Sequence, residues 1–141
     1  MAITSAICSS FKQQILVEGH NLTNGADSIK LALYTSSATL GAGTTVYVTT
    51  GQATGTNYSA GGSALTNVTP ALSGTTAVCD FADLTFGTAT VTARGCLLYN
   101  NTNGNKALCA IDFGGDKTST AGDFTVVFPS ATATGAIIRL A

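Results

Sequence analysis

The residues best suited to chemistry in this chain are few and far apart. Ser9 and Lys12 stand in the S-x-x-K spacing of serine acyl-enzymes, with Ser10 and Phe11 between them. That chemistry sets the serine near a helix start beside a pocket and draws on partner motifs of the S-D-N and K-T-G kind; the sequence contains neither. Asp112-Phe113-Gly114 spells the magnesium-binding triplet of protein kinases, yet the glycine-rich phosphate loop, the strand lysine and the H-R-D loop are missing. It reads as a strand end meeting a turn. Asp112, Asp116 and Asp123 offer the oxygen ligands that calcium takes from flexible loops. Lys117 follows Asp116 directly as a competing cation, however, and no glutamate follows at EF-hand spacing, so the three read as a solvated loop and no metal is expected. His20 is the only histidine, and Glu18, two positions away, would not share its face on a helix. With no nucleophile set beside a base, the chain is expected not to be an enzyme and to carry no cofactor.

The cysteines are Cys8, Cys79, Cys96 and Cys109. No C-x-x-C pair occurs, and a single histidine cannot complete a zinc site at convincing spacing. A domain of this size does not need disulfide staples, and free cysteine packs like a small hydrophobe, so buried free thiols are expected. Glycan binding is the non-catalytic alternative, because it uses exposed aromatic platforms. The chain has no Trp, and its four tyrosines, Tyr34, Tyr47, Tyr58 and Tyr99, lie in separate segments. Tyr47 and Tyr58 fall in the loop-rich region and are the candidates for such a contact; the alternative is that they cover the rim of the core with a wet hydroxyl.

Composition narrows the partners. Charged residues make up 9% of the 141-residue chain, against about 25% in ordinary soluble domains. Polar surface must therefore come from Thr, Ser, Asn and Gly. Six scattered Lys and Arg against seven Asp and Glu make no basic patch for phosphate, which argues against nucleic-acid binding and against electrostatic attachment to a membrane. No stretch approaches the ~20 apolar residues of a membrane span. The first eight residues, Met1 to Cys8, lack the basic region and unbroken apolar core of a secretory signal. The four Asn-x-Ser/Thr sequons, beginning at Asn21, Asn57, Asn67 and Asn100, then follow from a composition rich in Asn and Thr. Isolated β-proteins guard their edge strands with Lys, inward charges or Pro. Such guards are scarce here, and edges covered within an assembly are the natural expectation.

Ile3, Ile7, Phe11 and Ile15 recur every fourth position, and this spacing predicts one helix over 4–18. Thr4 or Ser5 would cap its start, and Gly19 would stop it in the left-handed conformation. Phe11 and Ile15 pack this face onto a sheet or, alternatively, dock it as an arm on a neighbouring subunit. Beyond Gly25 the texture turns to short β-type runs. Ile29–Thr35 shows the period-2 pattern of a strand with one buried face. Short strands are expected at Thr45–Thr49 and Gln52–Tyr58, then at Ala64–Thr69, Thr76–Phe86, Thr90–Tyr99, Lys106–Phe113, Asp123–Phe128 and Ala136–Leu140. Asn103-Gly104 tolerates positive φ and makes Thr90–Phe113 the clearest hairpin. Together these elements predict a mainly β chain over residues 1–141: a single antiparallel β-sandwich, jelly-roll-like, with one short N-terminal helix.

Several segments carry a resemblance. They are Thr4-Ser5-Ala6-Ile7-Cys8-Ser9-Ser10-Phe11-Lys12-Gln13, Lys30–Thr35, Tyr58-Ser59-Ala60-Gly61-Gly62 and Leu65-Thr66-Asn67-Val68. Asp80-Phe81-Ala82-Asp83, Phe113–Lys117, Asp123-Phe124-Thr125 and Ala136-Ile137-Ile138-Arg139 complete them. In this order and spacing, over nearly the whole chain, the sequence resembles a family of small virion structural proteins of tailed phages and prophages. The resemblance implies a virion component assembled in the host bacterial cytoplasm, with other virion proteins as partners (a major capsid protein or tail proteins) and self-association into a homo-oligomer. A capsid cement or decoration protein is the first reading, and a tail, neck or fibre-adaptor protein the second. The family supplies no catalytic residues. Phe11, Ile15, Tyr47 and Tyr58 are the residues expected to touch a partner.

Overall fold

A computed structural model describes residues 2–141. Strand accounts for 51% of the chain and helix for 6%, so the mainly β expectation holds. The strands are β1 (Ala6–Ile7), β2 (Ile29–Tyr34), β3 (Gly55–Thr56), β4 (Ser63–Ala64), β5 (Asn67–Ser73), β6 (Thr76–Phe81), β7 (Leu84–Asn100), β8 (Lys106–Val126) and β9 (Ile138–Leu140), with one helix, α1 (Ser9–Gln14). They form two antiparallel sheets, consistent with a β-sandwich. The larger runs β1-β8-β7-β2-β4, with β3 added beside β7, and the smaller runs β5-β6-β9.

The β7–β8 hairpin is the frame. Its turn lies where the Asn-rich run places it, but the positive φ values fall on Gly104 and Asn105 and not on Asn103-Gly104. Asn103 is used otherwise: its amide donates to the carbonyl of Gly19, while Asn100 Oδ1 accepts from the N–H groups of Thr102 and Asn103 and closes the turn. Both strands run far past their expected ends. Register shifts at Phe86/Ala89, Ala89/Val91 and Ala93/Gly95 absorb the irregular residues, and Thr88, Gly114 and Ala121 take positive φ inside the strands. The Gly-rich stretches expected to break the chain into loops are instead β-bulges, which bend a strand without ending it. β8 therefore joins Lys106–Phe113 to Asp123–Val126 without interruption.

β2 is buried on both faces, with only Lys30 partly exposed, so the expected single buried face is corrected. β7 covers one edge along its whole length, whereas β4 covers the other only at Lys30 and Leu31. The Gly- and Thr-rich segment completes that edge. Ala53 N–H donates to Leu33 O (2.8 Å) and Thr35 N–H to Gly51 O (2.8 Å). Leu33 N–H donates to Tyr58 Oη (2.7 Å). This explains why Thr45–Thr49 is not a strand, its only ladder contact being a bridge from Val46 to Lys106, and why Gln52–Tyr58 keeps only Gly55–Thr56 as β3. The approach is close enough to demand glycine. A Cβ on Gly62, at φ +75°, would sit 1.7 Å from Leu31 O, and one on Gly95 would sit 2.4 Å from Ile111 O.

The remaining boundaries shift modestly. Ala64–Thr69 divides into β4 and β5, Thr76–Phe86 divides at Ala82-Asp83 into β6 and the start of β7, and Ala136–Leu140 shortens to β9. The N-terminal helix is shorter than 4–18. Ile3 bridges Leu40 and β1 pairs with β8; the helix begins after Cys8, with no side-chain cap, and relaxes into a 3-10 turn over Ile15–Val17. Glu18, not Gly19, takes the left-handed position (φ 60°). The core joins both sheets and the helix through Phe11, Leu31, Leu33, Leu97, Leu98, Leu108, Phe81 and Ile138, all at most 2% exposed.

Candidate interaction surface

The residues singled out for partner contact lie largely inside the chain. Phe11 is 2% exposed and packs against the His20 ring at a centroid distance of 4.9 Å. Tyr58 is 6% exposed, accepts the Leu33 N–H, and meets Phe86 edge-on at 5.1 Å. Neither presents surface to a partner, which corrects both assignments: each fills a place in the core that the loop or helix bearing it folds back to reach. Ile15 and Tyr47 are half-buried. Tyr47 stacks on Tyr99 at 4.7 Å and donates to Gln52 Oε1 at 2.7 Å, so its flat face is already occupied. Tyr47 and Tyr58 thus do not form an exposed aromatic platform.

The reactive types are equally committed. Arg94 pairs with Asp112 at 2.9 Å, and this contact, with a hydrogen bond from Gly114 N–H, holds the Asp112 carboxyl below its ordinary range. Asp123 Oδ1 accepts from Thr88 N–H at 3.2 Å. Among the described residues no group of three His, Cys, Asp or Glu is placed to hold a metal ion. Cys8, Cys96 and Cys109 are buried, Cys79 is half-buried, and all four are free thiols. Burial pushes Cys8 up to about 11 and Cys109 up to about 12, so the thiolates that would act as nucleophiles are scarce at neutral pH.

What the fold leaves open is an edge. β1 pairs with β8 only at Cys109 and Ala110, and the cover ends with the bond from Asp112 N–H to Ser5 Oγ (2.8 Å). From Phe113 to Val126, among the described residues, no strand lies on the side of β8 opposite β7. Beside this edge runs a groove of about 490 Å³ lined by Ile111, Phe113, Phe124, Val126, Phe128 and Ile137. A second hollow of about 440 Å³, reaching Ile7 and Cys109, shares Ile111 and Ile137 with it, so the apolar channel follows β8 past the end of β1. Lys117 and Asp123 are the charged groups on the groove's lining. Val127, just beyond β8, is 71% exposed.

Such a margin offers unpaired backbone donors and acceptors together with an apolar channel for alternate side chains, the two parts of recognition by strand addition. The low charge of the chain as a whole signalled an open edge, although this margin itself carries Asp116, Lys117 and Asp123. The sequence carried no signal for which strand would be left at the margin, since that depends on where β1 stops. The outer face of the hairpin is rich in hydroxyls: Thr85 bonds Thr125 and Thr92 bonds Thr118 across the strands, each at 2.9 Å, beside the Arg94–Asp112 ion pair. Comparison with protein-family models, with curated proteins and with solved structures gave no match to this chain.

Proposed function

We propose that this chain is a structural component of a bacteriophage particle, in the first instance a capsid cement or decoration protein that stabilises the shell through surface contacts. The observation that carries the reading is the open β8 edge with the apolar channel beside it. The resemblance of the ordered segments from Thr4 to Arg139 to small virion proteins supports the same reading. Its partners would be a major capsid protein and further copies of itself. Many modest contacts repeated by symmetry would then add up to firm attachment. With a channel lined mainly by apolar side chains and only Lys117 and Asp123 charged on it, attachment through the channel would respond weakly to salt. A tail, neck or fibre-adaptor role uses the same surface at lower copy number.

The deciding experiment counts this chain in purified particles. Hundreds of copies assign it to the shell, about a dozen or fewer to the neck or tail, and its absence from particles overturns the reading. Thr120→Lys and Val127→Lys, both at exposed positions along or just past the open edge, are expected to leave the fold intact and to lower incorporation at least tenfold. Normal incorporation of both variants would remove the β8 edge from the argument.

A further inference from the structure

A partly buried polar network ties the N-terminal segment to the turn of the hairpin, and His20 stands at its centre. Nε2 of His20 lies 2.8 Å from Gln14 Oε1 at the end of α1, and Nδ1 lies 3.0 Å from Asn100 Nδ2 at the end of β7. The hydrogen-bond pattern fixes the tautomer. Asn100 Oδ1 already accepts from Thr102 and Asn103 N–H, so the Asn100 amide can turn only its NH₂ towards the ring. One of those hydrogens goes to Asp27 Oδ2 (2.7 Å) and the other to His20. Nδ1 must therefore accept. A neutral ring has its proton on the other nitrogen, so Nε2 donates and Gln14 must present its oxygen. Every partner agrees with a neutral imidazole, and none can accept a proton from Nδ1 as the side chains stand.

The charged groups acting on the ring are Lys106, at the start of β8, and Asp27, in the segment before β2. The Phe11 ring covers it from α1. Burial lowers the pKa of His20 from its ordinary 6.5, Lys106 lowers it further, and Asp27 opposes both. Asp27 Oδ2 is engaged by Asn100 and by the N–H of Asn21 (2.9 Å), so its pull on the ring acts through space and not through a hydrogen bond as the side chains stand.

We propose that His20 is a proton-operated latch: neutral, it holds the N-terminal segment against the hairpin turn, and protonated, it sets an N–H against the Asn100 amide and loosens that segment from the body. The sign follows from linkage. A histidine whose folded pKa is depressed contributes its full hold above pH 6.5, and the hold weakens as pH falls from 6.5 through the folded value, where the unfolded or released form binds more protons.

Because this is the only histidine in the chain, nitrogen-edited NMR of the intact protein reads it without assignment ambiguity. The expected result is a proton on Nε2 at pH 8 and a titration midpoint below 6.5. Hydrogen exchange, corrected for intrinsic rates, is then compared between pH 7.5 and pH 5. Protection of Cys8–Val17 is expected to fall by up to about tenfold per pH unit across the window, while protection of Ile29–Tyr34 holds. His20→Gln presents one donor and one acceptor but cannot titrate, and should flatten the response. Asp27→Asn, which keeps an acceptor for Asn100 and Asn21, should move the midpoint to lower pH. A proton on Nδ1 at neutral pH, a midpoint at or above 6.5, or equal loss of protection in His20→Gln would each overturn the latch. Should His20→Gln not fold, the wild-type data still decide, because the loss of protection must track the His20 titration.

Discussion

The two ends of the β7–β8 hairpin belong to one continuous pair of strands and meet opposite fates. Near the turn, Gly95–Asn100 and Ala107–Ala110 are buried without interruption, with β2 on one flank and β1 on the other. At the far end, burial alternates: Phe86, Ala89, Val91 and Ala93 turn inward, while Thr85, Thr90 and Thr92 face solvent. There, among the described residues, the two-residue β3 is the only added strand, on the β7 side. A continuous hairpin thus serves as core at one end and as margin at the other. The continuous apolar run lies where strands flank both sides, and the Thr-alternating run is left at the margin.

The contrast can be broken most forcefully at the turn end. Leu97→Ala removes a fully buried side chain from the covered end and should cost about 3 kcal/mol of unfolding free energy, read by denaturant titration. A loss below about 1 kcal/mol would mean that this end is not the rigid core described here. Alkaline titration sharpens the same contrast. Burial raises Cys8 to about 11, Cys109 to about 12 and Cys96 well above its ordinary 9.0. Tyr58 and Tyr99 rise to about 12. Groups with a raised folded pKa contribute stability that is intact below the unfolded pKa and is lost as pH climbs through the folded one. Stability should therefore hold to about pH 8.5 and then decline steadily, with thiol labelling and tyrosinate absorbance lagging behind those of the unfolded chain. The smallest effect belongs to the far end. Thr92→Ala, which removes one exposed cross-strand hydroxyl pair, should cost no more than about 0.5 kcal/mol, and a loss above 2 kcal/mol would show that the margin is as tightly coupled as the core.

Much of this was legible from residue types. The run Ile29–Tyr34 announced a strand, and the Asn-Gly run after Tyr99 announced the hairpin, because both signals are local. Misreadings arose where one pattern serves two structures. A spacing of four is close to one helical turn, but it is also twice the period of a strand, so Ile3 and Ile7 fit extended backbone while Phe11 and Ile15 fit the helical turn that follows. Gly114-Gly115 and Gly122 suggested loop boundaries, yet glycine also marks bulges inside a strand. The placement of Tyr47 and Tyr58 was not legible, since no local rule states that a loop tyrosine will donate or accept inward at a neighbouring strand. Low overall charge hinted at an open edge but did not point to the candidate surface, which carries Asp116, Lys117 and Asp123. Its location is a property of tertiary arrangement, set by β1 ending after two residues.

The seal over β2 has a consequence for growth. Along that side of the large sheet, Ala53, Gly51 and Tyr58 occupy backbone groups that an incoming strand would need, whereas the β8 side stands free. Endless cross-β stacking requires two receptive margins on every sheet, so that each added layer exposes the next. With much of the β2 margin occupied, the long free β8 margin has no equally receptive counterpart across the large sheet, so a strand added there would not set up growth in both directions.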